Sequence, residues 1–517
     1  MARKGRSLTC FLQRQLWKMR SLARCIGQGE RSEKGLAQGA ELKANIEWAS
    51  LPSWRGTVFV IEIVLLSLLL PVVAHSLSLY PPGFINLEFL FIGLCGVFLP
   101  RSVVVVLLVL DTIADFASAI CQTYFLSLRN LLASLPSLIS LPLHRMLEFS
   151  AVLSLFVVAC VIIARSKVGP EDRFWTACGL LFLAGVAGGA SILLGQNPLK
   201  HKDAVRTNLI LARSPLISLV RNDHARYSMY LASLRSDNSR MDSASSRAMA
   251  FLKSADPAKA PDLVLIVVES WGLPLDAQLA RALNAPYDDP SVELRYDVSH
   301  GSVPFDGSTV PGEARELCNS RIGFNILRAS PEILQGCLPA LLHARDYQDV
   351  AIHGYLGSMF GRESWYSGIG FDQRWFGPAL KKQKLSECDG PFPGTCDAAI
   401  AGWIGNSVLS TDTKRPRFIY WVTLNSHLPV PLQPDLAEDG VCSTLPSLRN
   451  SAPLCSWFRL VRNVHQSVHQ LSLTRSARPT VFVVVGDHAP PFADPELRQL
   501  FSATDVPYVL LTPKPAL

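Results

Sequence analysis

The sequence predicts a helical membrane domain of five spans followed by an α/β domain built on a largely parallel sheet. Two observations carry that prediction. Between Thr57 and Gly195 the 517-residue chain holds several runs approaching the ~20 apolar residues a hydrocarbon core requires, consistent with a mean hydropathy of +0.24. From Pro261 onward the apolar runs shorten and become valine-rich, each ending in polar or turn-forming residues and separated by helix-compatible segments, which is the repeated βαβ pattern.

The five spans are read at 57–77, 84–99, 102–120, 149–164 and 174–195. Residues 125–147 are also apolar, but Pro136 and Pro142 interrupt them, so they read as an interfacial helix pair. The tail 1–56 is rich in Lys and Arg, as are the loops holding Arg101 and holding Arg165, Lys167 and Arg173, whereas 78–83 carries neither. That asymmetry places the N-terminus in the cytoplasm and exports everything after Gly195. The first apolar run lies far from the start and is too long for a signal-peptide core.

Cysteine usage agrees with that orientation. Six of the 12 cysteines follow residue 200, and they fall into local pairs: Cys318 with Cys337, Cys388 with Cys396, and Cys442 with Cys455. Six cysteines permit 15 connectivities. Near neighbours close small loops easily, so the local pairing is expected in an oxidising compartment. Spacing of the C-x2-C type that would suggest zinc is absent. The net charge of +7 favours anionic membranes, and nothing points to nucleic acid.

Residues 196–260 read as a polar, basic juxtamembrane linker, and 261–517 as the exported domain. Strands are expected at PDLVLIVVES, AIHGY, RFIYWVTLNSH, PTVFVVVGDH and DVPYVLLTP. The first and fourth end in acids, Glu269 and Asp487 with His488 beside it. One such acid caps helices often enough. Two strands that bring two carboxylates and an imidazole to one sheet edge supply ligands suited to Zn²⁺ or Mn²⁺. In GSTVPGEARELC, Thr309 opens a helix, a place that favours anions such as phosphate, and its hydroxyl beside a metal becomes a usable nucleophile.

The ordered set VVESWG, GSTVPGE, AIHGYLGSMFGRESWYSGIGFD, TLNSHLP and VVVGDHAPPF resembles the alkaline phosphatase and sulfatase superfamily. The resemblance is to its membrane-anchored branch of lipoteichoic acid synthases, phosphoglycerol transferases and phosphoethanolamine transferases. It implies that Glu269, Thr309, Asp487 and His488 hold one divalent metal with Thr309 as nucleophile, and that His353, Arg362 and His427 bind phosphate or head group. It also implies a bacterial inner-membrane enzyme that passes a phosphorylated head group from a phospholipid donor to a glycan or lipid acceptor outside the membrane. The sequence ends with DVPYVLLTPKPAL, without the further histidine-bearing segment usual in phosphoethanolamine transferases, while the three cysteine pairs resemble those enzymes. Phe360 stands at the position of the family's pocket aromatic. The alternatives are a catalytically inactive lipid-binding relative, against which all four ligand positions are retained, and a sulfatase or phosphatase that uses water, against which Thr309 is neither Cys nor Ser.

Overall fold

The computed structural model describes residues 54–79, 83–166, 168–194, 211–220, 240–254, 260–329, 331–430 and 440–514. Nearly all of the expected basic tail and most of the expected linker lie outside these residues. The anchor comprises α1 (Trp54–Ser76), α2 (Leu87–Gly96), α3 (Arg101–Thr123), the short α4 (Leu128–Ser134), α5 (Leu143–Arg165) and α6 (Arg173–Leu193). Among the described residues, four helices are long and apolar enough to cross a membrane: α1, α3, α5 and α6.

Four of the five expected spans are thus long apolar helices, and the remaining one is not confirmed. The run 84–99 yields only the ten-residue α2, about 15 Å long at 1.5 Å per residue. Its start is fixed by Asn86, whose Oδ1 accepts from the amides of Glu88 and Phe89. The preceding residues form β1 (Ile85–Asn86), which pairs in parallel with β2 (Ala212–Arg213) from beyond the last anchor helix. At the other end Gly96 lies against Phe59 and Val104, near the starts of α1 and α3. A half-length helix thus carries the chain back to the level where α3 begins.

The stretch expected as an interfacial helix pair forms α4 and a 3₁₀ turn over Leu135–Ser140, while residues 143–147 belong to α5, which starts directly after Pro142. This segment touches the second domain. Ser140 Oγ lies 2.8 Å from Ser358 Oγ, Tyr355 donates to the Ser140 carbonyl, and Arg498 donates to the carbonyls of Gln122 and Thr123, each at 3.0 Å.

After α7 (Ala244–Ser254) comes a seven-stranded sheet of β3 (Asp262–Val268), β4 (Tyr296–Pro304), β5 (Gln348–His353), β6 (Gln373–Phe376), β9 (Arg417–Val422), β10 (Thr480–Gly486) and β11 (Asp505–Pro513). A separate two-stranded piece, β7 (Glu387–Cys388) with β8 (Gly394–Thr395), precedes β9. The order is β4-β11-β10-β3-β9-β5-β6. Strands β10, β3, β9, β5 and β6 are mutually parallel, and β11 and β4 add an antiparallel edge. The sheet is largely parallel as expected, but its last strand runs the other way, and β4 and β6 are two strands more than the sequence reading found.

The valine-rich strands are continuous because both faces are covered. Val264, Ile266 and Val268 of β3 join one core with Trp457, Val461, Val464 and Val468 of α11 (Ala452–Leu473). Leu263, Leu265 and Val267 join another with Ala244, Ala248 and Leu252 of α7 and Val310, Ala314 and Leu317 of α8 (Thr309–Cys318). Cys318–Cys337, Cys388–Cys396 and Cys442–Cys455 are disulfide-bonded.

Candidate active site

Register decides which side chains meet. Gly486 is opposite Val268, Val267 is opposite Val422, and Val422 is opposite His353, so β10, β3, β9 and β5 end at one level. Glu269, Asp487 and His488 emerge there, and their ligand atoms lie within 4.8 Å of one another. The three are buried. Gly486 is required where β10 turns, because a Cβ there would stand 1.9 Å from the Trp271 carbonyl oxygen. Gly312 similarly lets α8 close onto the Asp487 backbone. Ser270, between the strand end and Trp271, has a left-handed φ of 58°, which non-glycine residues adopt only when held by their surroundings.

Thr309 is the first residue of α8, and its hydroxyl donates to Glu269 Oε2 at 3.0 Å with His488 Nε2 at 3.5 Å. Glu269 Oε1 accepts from Ser270 Oγ at 2.8 Å, and Asp487 Oδ1 accepts from the amides of Ser270 and His488, both at 2.7 Å. His488 Nδ1 donates to the Ala489 carbonyl at 2.8 Å, leaving Nε2 with its lone pair toward the acids. That nitrogen is 3.5 Å from Glu269 Oε1 and 3.3 Å from Asp487 Oδ2. Asp487 Oδ2 is buried without a hydrogen-bond partner among the described residues.

These features fit a dication. Ligands at about 2.0–2.2 Å in tetrahedral geometry stand roughly 3.3–3.6 Å apart, which matches both separations. Burial, with Glu269 beside it, pushes the Asp487 carboxyl well above the usual range. Burial also pushes Glu269 up, but His427, His488 and the hydrogen bonds from Ser270 and Thr309 outweigh it and hold that group below its ordinary value. Two acids in one dry site that oppose each other are stabilised together by a cation.

The remaining expected residues surround this centre. His353 Nδ1 faces the Val422 carbonyl at 3.1 Å and Nε2 faces Arg362 Nη1 at 3.4 Å. Burial and the Arg362 charge push its pKa down to about 3, so it is neutral. Arg362, which opens α10 (Arg362–Gly368), forks onto Glu313 Oε1 through Nε at 3.0 Å and Nη2 at 2.8 Å. Burial works against the Arg362 charge, and the Glu313 carboxylate more than restores it. His427 Nδ1 lies 2.6 Å from the Leu428 carbonyl, with its ring edge-on to Phe392. Phe360 also has a left-handed φ, 54°, and its ring lies beneath the Arg362 guanidinium.

Sequence reasoning missed several participants. Glu313 is fully buried and accepts from Tyr366 and Tyr420 as well as Arg362. Thr423 Oγ1 accepts from the Glu269 amide, and Ser426 Oγ donates to its carbonyl. The anchor contributes Tyr124, whose ring centre is 6.4 Å from that of His427, and Phe125, 6.1 Å from that of His488. A serine or threonine just past a strand end signals such backbone clamps. Contacts from the anchor leave no local signal.

Residues 320–515 match the Sulfatase family model, a span that takes in His353, Arg362, His427, Asp487 and His488, while Glu269 and Thr309 precede it. Solved structures similar to the chain include the lipoteichoic acid synthase LtaP from Listeria monocytogenes, at 14% identity over 51% of this chain and 70% of that one, TM-score 0.32. The Streptococcus pyogenes phosphoglycerol transferase GacH, solved with sn-glycerol-1-phosphate, is similar at 14% identity over 52% and 77%, TM-score 0.37. The periplasmic domain of EcEptC from Escherichia coli, solved with Zn, is similar at 14% over 49% and 73%, TM-score 0.31. No curated protein matches the chain. Behind the four long apolar helices among the described residues, the chain carries a domain with a mostly parallel central sheet, of which residues 320–515 match the Sulfatase family model.

Proposed function

We propose that this protein transfers a phosphorylated head group, glycerol phosphate or phosphoethanolamine, from a membrane phospholipid onto Thr309 and then to a glycan or lipid hydroxyl. One observation carries the reading: a threonine hydroxyl at the first turn of a helix, hydrogen-bonded to one acid of a buried Glu-Asp-His cluster and facing its imidazole. Glu269, Asp487, His488 and Thr309 would hold a zinc- or manganese-class ion, which supplies positive charge to the phosphoryl oxygens and lowers the hydroxyl pKa.

In the first half-reaction Thr309 Oγ1 forms a bond to the donor phosphorus and the bond to the diacylglycerol oxygen breaks. The Thr309 proton already points at Glu269 Oε2, from which it passes to the departing oxygen. In the second half the acceptor hydroxyl attacks the phosphothreonine, the Thr309–phosphorus bond breaks, and the proton the acceptor gives up passes to the Thr309 oxygen. His427, with Nδ1 turned to the Leu428 carbonyl, offers Nε2 as base to that hydroxyl. Charge that grows on the phosphoryl oxygens meets the first amides of α8.

The anchor supports a lipid donor. Tyr124 and Phe125 reach the rim of the site directly from α3, one of the four long apolar helices. The setting that fits is a bacterial inner membrane with the domain on its outer face, where the three disulfides persist. The decisive experiment is incubation of the detergent-purified chain with phospholipid labelled in the head group, followed by peptide mapping. A head-group phosphate ester on the GSTVPGEAR peptide, absent from Thr309→Ala, is the expected result. Label on another residue, or a Thr309→Ala enzyme that transfers at the wild-type rate, overturns the assignment. Release of free head-group phosphate without an acceptor product identifies a hydrolase instead.

A further inference from the structure

The geometry points to a second divalent-metal site, formed by His343, Asp349 and Asp372 at the end of the sheet opposite the candidate active site. Three elements bring these residues together. His343 is the last residue of α9 (Leu338–His343), Asp349 is the second residue of β5, and Asp372 immediately precedes β6. The parallel register of Val350 with Gln373 sets Asp349 beside Asp372, and the Asp349 amide donates to Asp372 Oδ2 at 3.1 Å. One ligand atom from each of the three residues lies within 4.8 Å of the others.

Two observations distinguish this cluster from ordinary surface charge. The Asp349 side chain is fully buried, yet neither of its carboxylate oxygens has a hydrogen-bond partner among the described residues. Buried carboxylates are almost always hydrogen-bonded, paired or bound to metal. The nearby cation Arg415 is already engaged, with Nε 2.9 Å from Asp346 Oδ1 and hydrogen-bonded to the Asp346 and Tyr347 carbonyls.

The second observation is the spacing. His343 Nδ1 stands 3.6 Å from Asp349 Oδ2 and 3.7 Å from Asp372 Oδ1, too far for hydrogen bonds. Ligands of one ion at about 2.0–2.2 Å stand roughly 3.3–3.6 Å apart, so both separations are near what a shared ion requires. An imidazole with two carboxylates selects zinc or manganese over calcium or magnesium, which prefer oxygen alone. His343 is half exposed, so water completes the coordination from the open side.

Such an ion ties α9, β5 and the entry to β6 together at one end of β5. His353 lies at the other end, about 13 Å away along four residues of strand. The role is therefore structural: the ion neutralises Asp349 and fixes the strand that presents His353 to the active site.

The test is a zinc count. Detergent-purified full-length chain is stripped with chelator, reloaded with Zn²⁺, dialysed against metal-free buffer and analysed for zinc per protein. Wild type should retain two ions, His343→Ala one, His488→Ala one, and the double variant none. Asp349→Asn should also retain one. His343 is exposed, so its replacement reports on binding even where the Asp349 variant fails to fold. The inference is overturned if wild type retains a single ion that His488→Ala abolishes, or if His343→Ala retains as much zinc as wild type. Neither result depends on whether Thr309 carries a phosphoryl group.

Discussion

Thr309 Oγ1 donates a 3.0 Å hydrogen bond to Glu269 Oε2, joining the first turn of α8 to the end of β3 across 40 residues of chain. The bond orients the hydroxyl proton toward a carboxylate whose pKa is held below its ordinary value despite its burial. Glu269 is further held through its own backbone by Thr423 and Ser426. Removing the hydroxyl leaves that frame in place.

Thr309→Ala should therefore keep its fold and most of its metal while losing the reaction. Loss of a group that acts as part of a catalytic unit costs on the order of a thousandfold or more in rate. Thr309→Ser preserves the hydroxyl and should keep part of the activity. Turnover of labelled phospholipid measured alongside metal content separates the two effects, and a Thr309→Ala protein that loses its metal entirely would assign the residue a ligand role above all.

The parts of this site legible in the sequence were those set by local pattern. Leu263–Val268 and Val481–Val485 read as buried strands because both faces are apolar, with Glu269 directly after the first and Asp487 one glycine after the second. Strand β4 escaped because it is an edge strand whose exposed positions are Asp297, Ser299, His300 and Ser302, so no hydrophobic run marks it. Strand β6 has only four residues. Glu313 reads as an ordinary acid near a helix start. Its burial follows from Arg362, Tyr366 and Tyr420 converging from elsewhere in the chain. The length of the helix in the run 84–99 was not legible for a similar reason: the run is apolar enough for a span, but pairing of Ile85 and Asn86 with Ala212 and Arg213 sets where its helix begins.

Gly486 should tolerate no side chain. The methyl of Gly486→Ala would meet the Trp271 carbonyl at 1.9 Å, a backbone atom that moves only if the turn bearing Ser270 moves. Overpacking of this kind costs about 1–3 kcal/mol, occasionally more, and here displaces Asp487 and His488 together. Gly402 is the control: it lies in the helix Asp397–Trp403 with open space where a Cβ would stand. Gly402→Ala should be neutral or stabilising by about 0.4–1 kcal/mol. Thermal unfolding and zinc content of the two variants should diverge, and equal behaviour would remove the steric account of the Gly-Asp-His turn.

Within the anchor, Arg213 forks onto Asp115 through Nε and Nη2, and Asn86 Nδ2 bridges Asp111 and Asp115 at 2.9 Å each. Asp111 and Asp115 of the apolar α3 are thus buried, and Arg213 returns from beyond α6 to meet Asp115. Breaking a buried pair by removing one partner costs about 3–5 kcal/mol. Arg213→Met should destabilise the detergent-solubilised chain by that amount, and adding Asp115→Asn should restore much of the loss. Additive effects of the two substitutions would show that the pair is not coupled.

His465 gives the domain a pH dependence of calculable sign. It is buried in α11 against Trp271 and Tyr287, its Nδ1 donates to the Leu283 carbonyl at 2.8 Å, and Nε2 has no partner among the described residues. Burial pushes its pKa from 6.5 down to about 4. The unfolded chain therefore takes up a proton near pH 6.5 that the folded chain refuses until about pH 4. Stability from this residue is fully present above pH 6.5 and is lost as the pH falls through that window, by up to about 1.4 kcal/mol per pH unit. His465→Gln can still donate to Leu283 and does not titrate. The unfolding temperatures of wild type and His465→Gln should run parallel above pH 6.5, and the wild-type value should fall more steeply between pH 6.5 and 4. Parallel curves through that interval would mean that His465 takes up its proton in the folded protein, which requires water or an acid at Nε2.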